Sequence, residues 1–220
     1  MKYQTFTFHS YDFDANTKTL TLHYNIDDSL HFKETYTFGF DFTDYDNVAL
    51  DRACFLLFIM AGISYYKTYL PPEIVINNNQ LDQPLATFFE KTYQRGLGEF
   101  FFINKLDPKT AVDFPFVDVS PQPKRTTTSG MLVGIGGGKD SLLSIELLRD
   151  QKDVSTWSLG HATQLAPLVE KIGLPQYSVE RTLDSKLLDR SALPDSFNGH
   201  IPISAIFACV GTVVAILSGK

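Results

Sequence analysis

Cysteine is scarce in this chain, with two in 220 residues, and tryptophan occurs once. Two cysteines build neither the disulfide framework of a small secreted scaffold nor the paired spacing of a structural zinc site. Cys54 and Cys209 each sit in an apolar stretch of helical character, where cysteine acts as a small buried hydrophobe. Basic blocks are missing as well. The formal net charge is −6, the acidic surplus falls in the first half, and no Lys/Arg cluster supplies the positive footprint that nucleic-acid binding needs. The opening "MKYQTFTFHS" lacks the apolar core of a signal peptide, so a reduced, cytoplasmic compartment is expected. Ile201 to Leu217 is nearly uncharged but falls just short of the ~20 residues of a membrane span; it contains Pro202 and Gly211 and reads as a buried helix. Internal repeats and low-complexity tracts are absent.

What is present is a strong change of rhythm along the chain. Residues 3–40 alternate apolar or aromatic with polar at period two in "YQTFTFHSY", "KTLTLHYNI" and "LHFKETYTF", with "DFDANTK" and "DDS" as turns. This predicts an antiparallel meander with one wet face. Residues 46–66 switch to a helix that Asp46 or Asn47 caps, apolar all round in its second half and stopped by "LPPE". A short strand follows at 73–77 and a helix at 83–95. "GLGEFFFINKL" either continues that helix or breaks at its glycines. Residues 119–130, rich in Pro, Ser and Thr, read as a linker, with a domain boundary near 125.

After the linker, strands and helices alternate: strands at "MLVGI", "STWSL" and "QYSVE", helices at 140–150 and 162–172, and the apolar helix last. Such alternation implies a parallel sheet with helices on it. The fold expected is therefore α/β. A smaller α+β domain with an antiparallel meander (1–125) precedes a parallel-sheet α/β domain (126–220).

The stretch "GMLVGIGGGKDSLLSIELLR" (130–149) carries the clearest chemistry. Three glycines lie between the first strand of the α/β unit and its helix. Bare backbone at a helix N-terminus lets phosphate oxygens approach unpaired N–H groups. A tight turn alone would not need three glycines, each costing roughly 0.5–1 kcal/mol relative to alanine. The P-loop pattern fails, because Asp140 replaces the magnesium-binding Ser/Thr and Val133 the first glycine. The dinucleotide fingerprint fails because Lys139 takes the place of its third glycine.

Gly136-Gly137-Gly138-Lys139-Asp140-Ser141 instead resembles the Ser-Gly-Gly-x-Asp-Ser pyrophosphate loop of ATP pyrophosphatases, with Gly136 in place of the first serine. The resemblance implies an adenine nucleotide alpha hydrolase-like domain that binds ATP and Mg2+. The backbone from Ile135 to Gly138 would hold phosphate, and Lys139 would neutralise its charge. Ser141 would donate to it, and Asp140 would order the loop or the metal ion. His161, just after the second parallel strand, is a further nucleotide-contact candidate.

A wider resemblance rests on "AGISYYK" (61–67), "PPEIVI" (71–76), "GLGEFFFIN" (96–104), "GIGGGKDSLLSIELL" (134–148) and "NGHIPISAI" (198–206). In this order and spacing they are similar to the ATP-dependent UDP-N-acetylmuramoyl-L-alanyl-L-glutamate epimerases of bacterial cell-wall synthesis. That family inverts the terminal L-glutamate of a UDP-linked muramoyl dipeptide, with ATP going to AMP and pyrophosphate. Its proteins are longer, so the chain is expected to be a fragment or a shortened relative. The implied acid–base candidates are His200, Lys67 and Glu99, with Asp140 at the loop. Tyr65, Tyr66, Arg181, Asn198 and Gly199 are the substrate-contact candidates. Another adenylating ligase or an RNA-thiolating enzyme on the same loop is the first alternative, although the acidic balance and lack of a cysteine pair speak against thiolation. A nucleotide-binding module without catalysis is the second. The small-molecule substrate is the expected partner, with no nucleic acid and no membrane.

Overall fold

The computed structural model describes residues 3–42, 44–77, 80–110, 112–118, 129–189 and 191–220. The linker expected at 119–130 lies outside these apart from its last two positions.

The period-two segments form β1 (Thr5–Asp14), β2 (Thr19–Ile26) and β3 (Leu30–Phe38), an antiparallel meander as expected. In β2 the alternation is complete: Leu20, Leu22, Tyr24 and Ile26 are fully buried, while the residues between them are only partly covered. Helix α1 (Asn47–Ala61) begins at Asp46, whose carboxylate accepts hydrogen bonds from the backbone N–H of Val48 and Ala49 at 2.8 and 3.2 Å. Gly62 joins it to the short α2 (Ile63–Tyr66). Strand β4 (Glu73–Ile76) then pairs parallel with β1. A small parallel pair, β5 (Leu81–Asp82) and β6 (Phe116–Val117), has no counterpart in the sequence pattern. The glycine-bounded stretch breaks at Leu97, separating α3 (Gln83–Gly96) from α4 (Gly98–Ile103).

The second half runs β7 (Met131–Gly134), α5 (Lys139–Leu148), β8 (Val154–Leu159), α6 (Ala162–Ile172), β9 (Gln176–Thr182), a 3₁₀ turn at Ser185–Leu187 and α7 (Ile203–Ser218). β7, β8 and β9 pair in parallel. They do not form a sheet of their own. β9 pairs antiparallel with β3, Tyr36 opposite Arg181 and Phe38 opposite Val179, giving one seven-stranded sheet in the order β4-β1-β2-β3-β9-β8-β7. The expected parallel sheet is thus corrected to a three-stranded parallel part of a seven-stranded mixed sheet. The division between 1–125 and 126–220 does not interrupt it. The physical reason is the edge of β3, whose backbone N–H and C=O groups need a partner beyond β2; residue periodicity does not encode which distant strand supplies it.

The main core spans both halves. Phe6, Phe8, Tyr24 and Phe58 belong to the same buried cluster as Trp157, Val179, Ile206, Val210 and Val214. Helices α1 and α7 pack together on one face of the sheet. On the other face of these three parallel strands, Val133, Ile135, Ile145, Val154 and Leu165 form a smaller cluster with α5 and α6. Asn47–Tyr66 is long and apolar enough to cross a membrane by length and composition, yet most of it is buried inside the fold. Cys54 and Cys209 are free thiols, and burial pushes them up to about 12 and about 11, as befits packing residues.

Because Asp46 rather than Asn47 makes the cap, Asp46→Ala is expected to lower stability by about 1 kcal/mol. Asn47→Ala should leave it near wild type. Urea unfolding midpoints measure both.

Candidate functional site

Two cavities open beyond the carboxyl ends of the parallel strands, where open α/β sheets hold their ligands. The first lies past β7 and β8 and has a volume of about 440 Å³. One wall is backbone, Gly134 to Gly136; the opposite wall is apolar, with Trp157, Leu159, Leu165 and Phe207, and Ser158 and His161 add polar groups. The Trp157 indole is clasped between Gly134 and Gly211: a Cβ at either would stand 3.3 or 3.0 Å from its ring.

The loop leading into α5 is open. Gly136, Gly137, Gly138, Lys139 and Asp140 are all exposed, and a Cβ on Gly136 or Gly138 would meet nothing within 4 Å. Gly137 has φ of +78°, a left-handed conformation that side chains other than glycine adopt at a cost. Gly138 is the N-cap residue, and no side chain caps α5. Its first N–H groups therefore face outward with the positive end of the helix dipole. The Ser141 hydroxyl donates to the Gly138 carbonyl at 2.8 Å and so braces this turn. His161 lines the cavity from a left-handed position at the start of α6.

The second cavity, about 260 Å³, opens past β9. Here three of the sequence motifs converge. Lys67, the C-cap of α2, donates its ammonium to the Gly199 carbonyl and, at 3.5 Å, to Asn198 Oδ1. Asn104, at the end of α4, donates to the Asn198 carbonyl at 2.8 Å. Gly199, with φ of +152°, lies against Phe100; a Cβ there would stand 3.1 Å from the ring. His200 turns outward, its Nδ1 2.8 Å from Glu99 Oε2, with 81% of the His200 side chain exposed. Burial draws the Lys67 ammonium below the ordinary lysine pKa, and its recorded acceptors are neutral.

Lys67, Asn198, Gly199, His200 and Glu99 are therefore brought together. Of the five expected substrate-contact residues only Asn198 lines the cavity; Gly199 packs on Phe100 beside it, and Tyr65, Tyr66 and Arg181 point elsewhere. Tyr65 and Tyr66 are buried core residues, at 0 and 2% exposure. Tyr65 stacks on Tyr24, ring centroids 4.8 Å apart, and Tyr66 packs edge-on against Phe6. On α2 the residues that reach the cavity are Ser64 and, at the helix end, Lys67; the adjacent tyrosines point to the sheet.

Arg181 is not free for a substrate carboxylate either. It reaches across from β9 to β3, its Nε donating to Glu34 Oε1 at 2.8 Å, and its Nη2 donates to Ser64 Oγ at 3.1 Å. Tyr36 also donates to Glu34 Oε1, at 2.5 Å. Glu34 is fully buried and its Oε2 has no hydrogen-bond partner.

Sequence reasoning missed Trp157 and Phe207 in the first cavity, and Ser64 and Glu34 beside the second. Glu34 did carry a signal: it occupies an inward position in the alternating "LHFKETYTF", where every other inward residue is apolar or aromatic. Trp157 and Phe207 read only as core. Among the described residues no group of three or more His, Cys, Asp or Glu side chains is clustered as a protein-held metal site would require.

The family model described as MurL N-terminal domain matches residues 1–220. The chain belongs to the MurL N-terminal domain family. A UDP-N-acetyl-alpha-D-muramoyl-L-alanyl-L-glutamate epimerase of Xanthomonas oryzae pv. oryzae is 33% identical over 221 residues, which is 98% of this chain and 49% of that protein. A protein of the same description from Salinispora tropica is 32% identical, covering 97% and 49%, and one from a Micromonospora species is 30% identical with the same coverage. The chain thus spans about half the length of the curated relatives it matches. No solved structure matches it.

Removing the Arg181 charge strands a buried carboxylate, so Arg181→Met is expected to cost about 3–5 kcal/mol in unfolding free energy. The double variant Glu34→Leu/Arg181→Met should recover much of that loss. A double-mutant cycle from urea titrations gives the coupling.

Proposed function

We propose that this chain carries the nucleotide and substrate sites of an ATP-dependent epimerase. The reaction would invert the terminal L-glutamate of UDP-N-acetylmuramoyl-L-alanyl-L-glutamate to D-glutamate, in the cytoplasmic stage of peptidoglycan synthesis. The carrying observation is that relatives bearing this activity in their names align over nearly the whole chain.

The chemical problem is the α-hydrogen of the glutamate, barely acidic beside an ionised carboxylate. ATP with Mg2+ supplies the adenylyl group that masks that carboxylate's charge, releasing pyrophosphate. The first cavity fits a nucleotide. Trp157, Leu159 and Phe207 offer apolar faces for a base, and His161 and Ser158 offer polar contacts. The pyrophosphate-loop reading of 136–141 is supported by the exposed glycines, the uncapped helix start and the open space a phosphate would fill. Lys139 would offset phosphate charge, and Asp140 would supply a carboxylate to the metal ion.

Proton exchange falls to the second cavity. Inversion requires a base on one face of the α-carbon and an acid on the other. His200, which stands outside the cavity lining with its ring paired to Glu99, would have to turn toward the substrate to serve as base. Lys67, whose ammonium is weakened by burial, returns the proton. Asn198 and Gly199 hold Lys67 in position.

The sole tryptophan makes nucleotide binding directly visible. A non-hydrolysable ATP analogue should change Trp157 emission saturably, and Gly137→Val, which is strained at φ of +78°, should weaken that binding at least tenfold. Unchanged emission, or equal affinity in the variant, would reject the nucleotide site. For the chemistry, deuterium incorporation from D2O at the glutamate α-carbon in the presence of ATP is the readout. His200→Ala should reduce its rate by about 10²–10⁴.

A further inference from the structure

We propose that the Ser64 hydroxyl is a carboxylate-recognition group of the second cavity, held in place by the buried Arg181–Glu34 pair. As the identity of a substrate contact, this rests on the epimerase reading; as a site for a carboxylate it stands on geometry alone.

Ser64 is 3% exposed, yet it forms part of the cavity wall. A buried hydroxyl ordinarily both donates and accepts. Ser64 Oγ accepts from Arg181 Nη2 at 3.1 Å, and no described residue accepts its proton. The donor is thus left over, on the wall of a cavity. Lys67 stands three residues further on, on the same side of the helical turn, and its ammonium likewise bonds only neutral oxygens. Lys186, also at the wall, is different: it is already engaged with Asp184 and the His31 carbonyl. Ser64 and Lys67 together therefore present an O–H and an N–H⁺ on the wall of one cavity, and a carboxylate has two oxygens to accept both.

Arg181 makes Ser64 more than an ordinary serine. The guanidinium is fixed from behind by Glu34 at 2.8 Å, so the side chain cannot swing into the cavity to bind the ligand itself. Instead it occupies a lone pair of Ser64 Oγ, which leaves the hydroxyl proton directed away from it, and it polarises that O–H. Of the cavity's charged groups, Asp189 is the carboxylate on the wall, and it is satisfied by the Ser191 hydroxyl and N–H at 2.6 and 2.9 Å.

Glutarate tests the site without the reaction, because it has no stereocentre to invert; uncharged glutaramide is the control. Calorimetry on the unaltered chain should show glutarate binding and no glutaramide binding. Ser64→Ala should weaken glutarate about 10- to 100-fold, while Ser64→Thr, which keeps the hydroxyl, should stay within a few-fold of wild type. Equal glutarate affinity in Ser64→Ala, or equal binding of both probes, overturns the proposal. Nitrogen-15 NMR of the unaltered chain gives a check independent of variant folding. Glutarate beside Ser64 should raise the Lys67 titration midpoint, and a midpoint unmoved at saturating glutarate overturns it. Should glutarate behave as stated while α-deuterium exchange never occurs with the muramoyl dipeptide, the carboxylate site stands and the epimerase reading falls.

Discussion

One antiparallel seam organises this molecule. Where β3 meets β9, strands from opposite ends of the chain close a single sheet, and the side chains at that seam include a fully buried carboxylate. A charge taken out of water is tolerated only when a counter-charge and hydrogen bonds meet it. Arg181 from the partner strand and Tyr36 from the same strand meet Glu34. The seam therefore joins more than backbone. It fixes the register of β9 on β3, and with it the place where β9 ends and the second cavity begins.

The chemistry inherits that placement. Ser64 and Lys67 are carried on the short helix that follows α1, and they face a segment, 198–201, that has returned from the far side of the chain. Phe197 N–H donates to the Thr68 carbonyl at 2.8 Å and Tyr69 donates to the Pro194 carbonyl at 2.8 Å. Backbone and tyrosine thus staple the returning segment to the helix. The left-handed Gly199 lets it lie close over Phe100. Residues far apart in the chain become one wall by these contacts, each of them local in space and unremarkable in composition.

Legibility followed periodicity. The meander, the α1 cap at Asp46, the strand–loop–helix around Gly136–Gly138 and the stop of α6 at Gly173 all rest on local pattern, which residues within a few positions decide. The pairing of β3 with β9 does not, because any strand with a free edge satisfies the same backbone groups. The site residues divide in the same way. Lys67, Glu99, Asn198 and His200 are the polar residues of short motifs singled out by resemblance, and they are found together. Tyr65 and Tyr66 belong to one of the same motifs but point inward, because a helical turn sends adjacent residues in different directions. Local pattern leaves Arg181 free, because the acid that claims it lies 147 positions earlier. Ser64 gave no sign in the sequence at all; only the guanidinium at its back distinguishes it.

The beginning of α7 has a consequence of its own. Ile201, just ahead of it, lines the second cavity, and Phe207, in its second turn, lines the first. The first cavity is thus bordered by the helix itself and the second by the residue that leads into it across Pro202. Were a ligand in one chamber to shift this helix start, the lining of the other would shift with it. Thermodynamic reciprocity then requires that whatever one occupant does to the affinity of the second, the second does equally to the first.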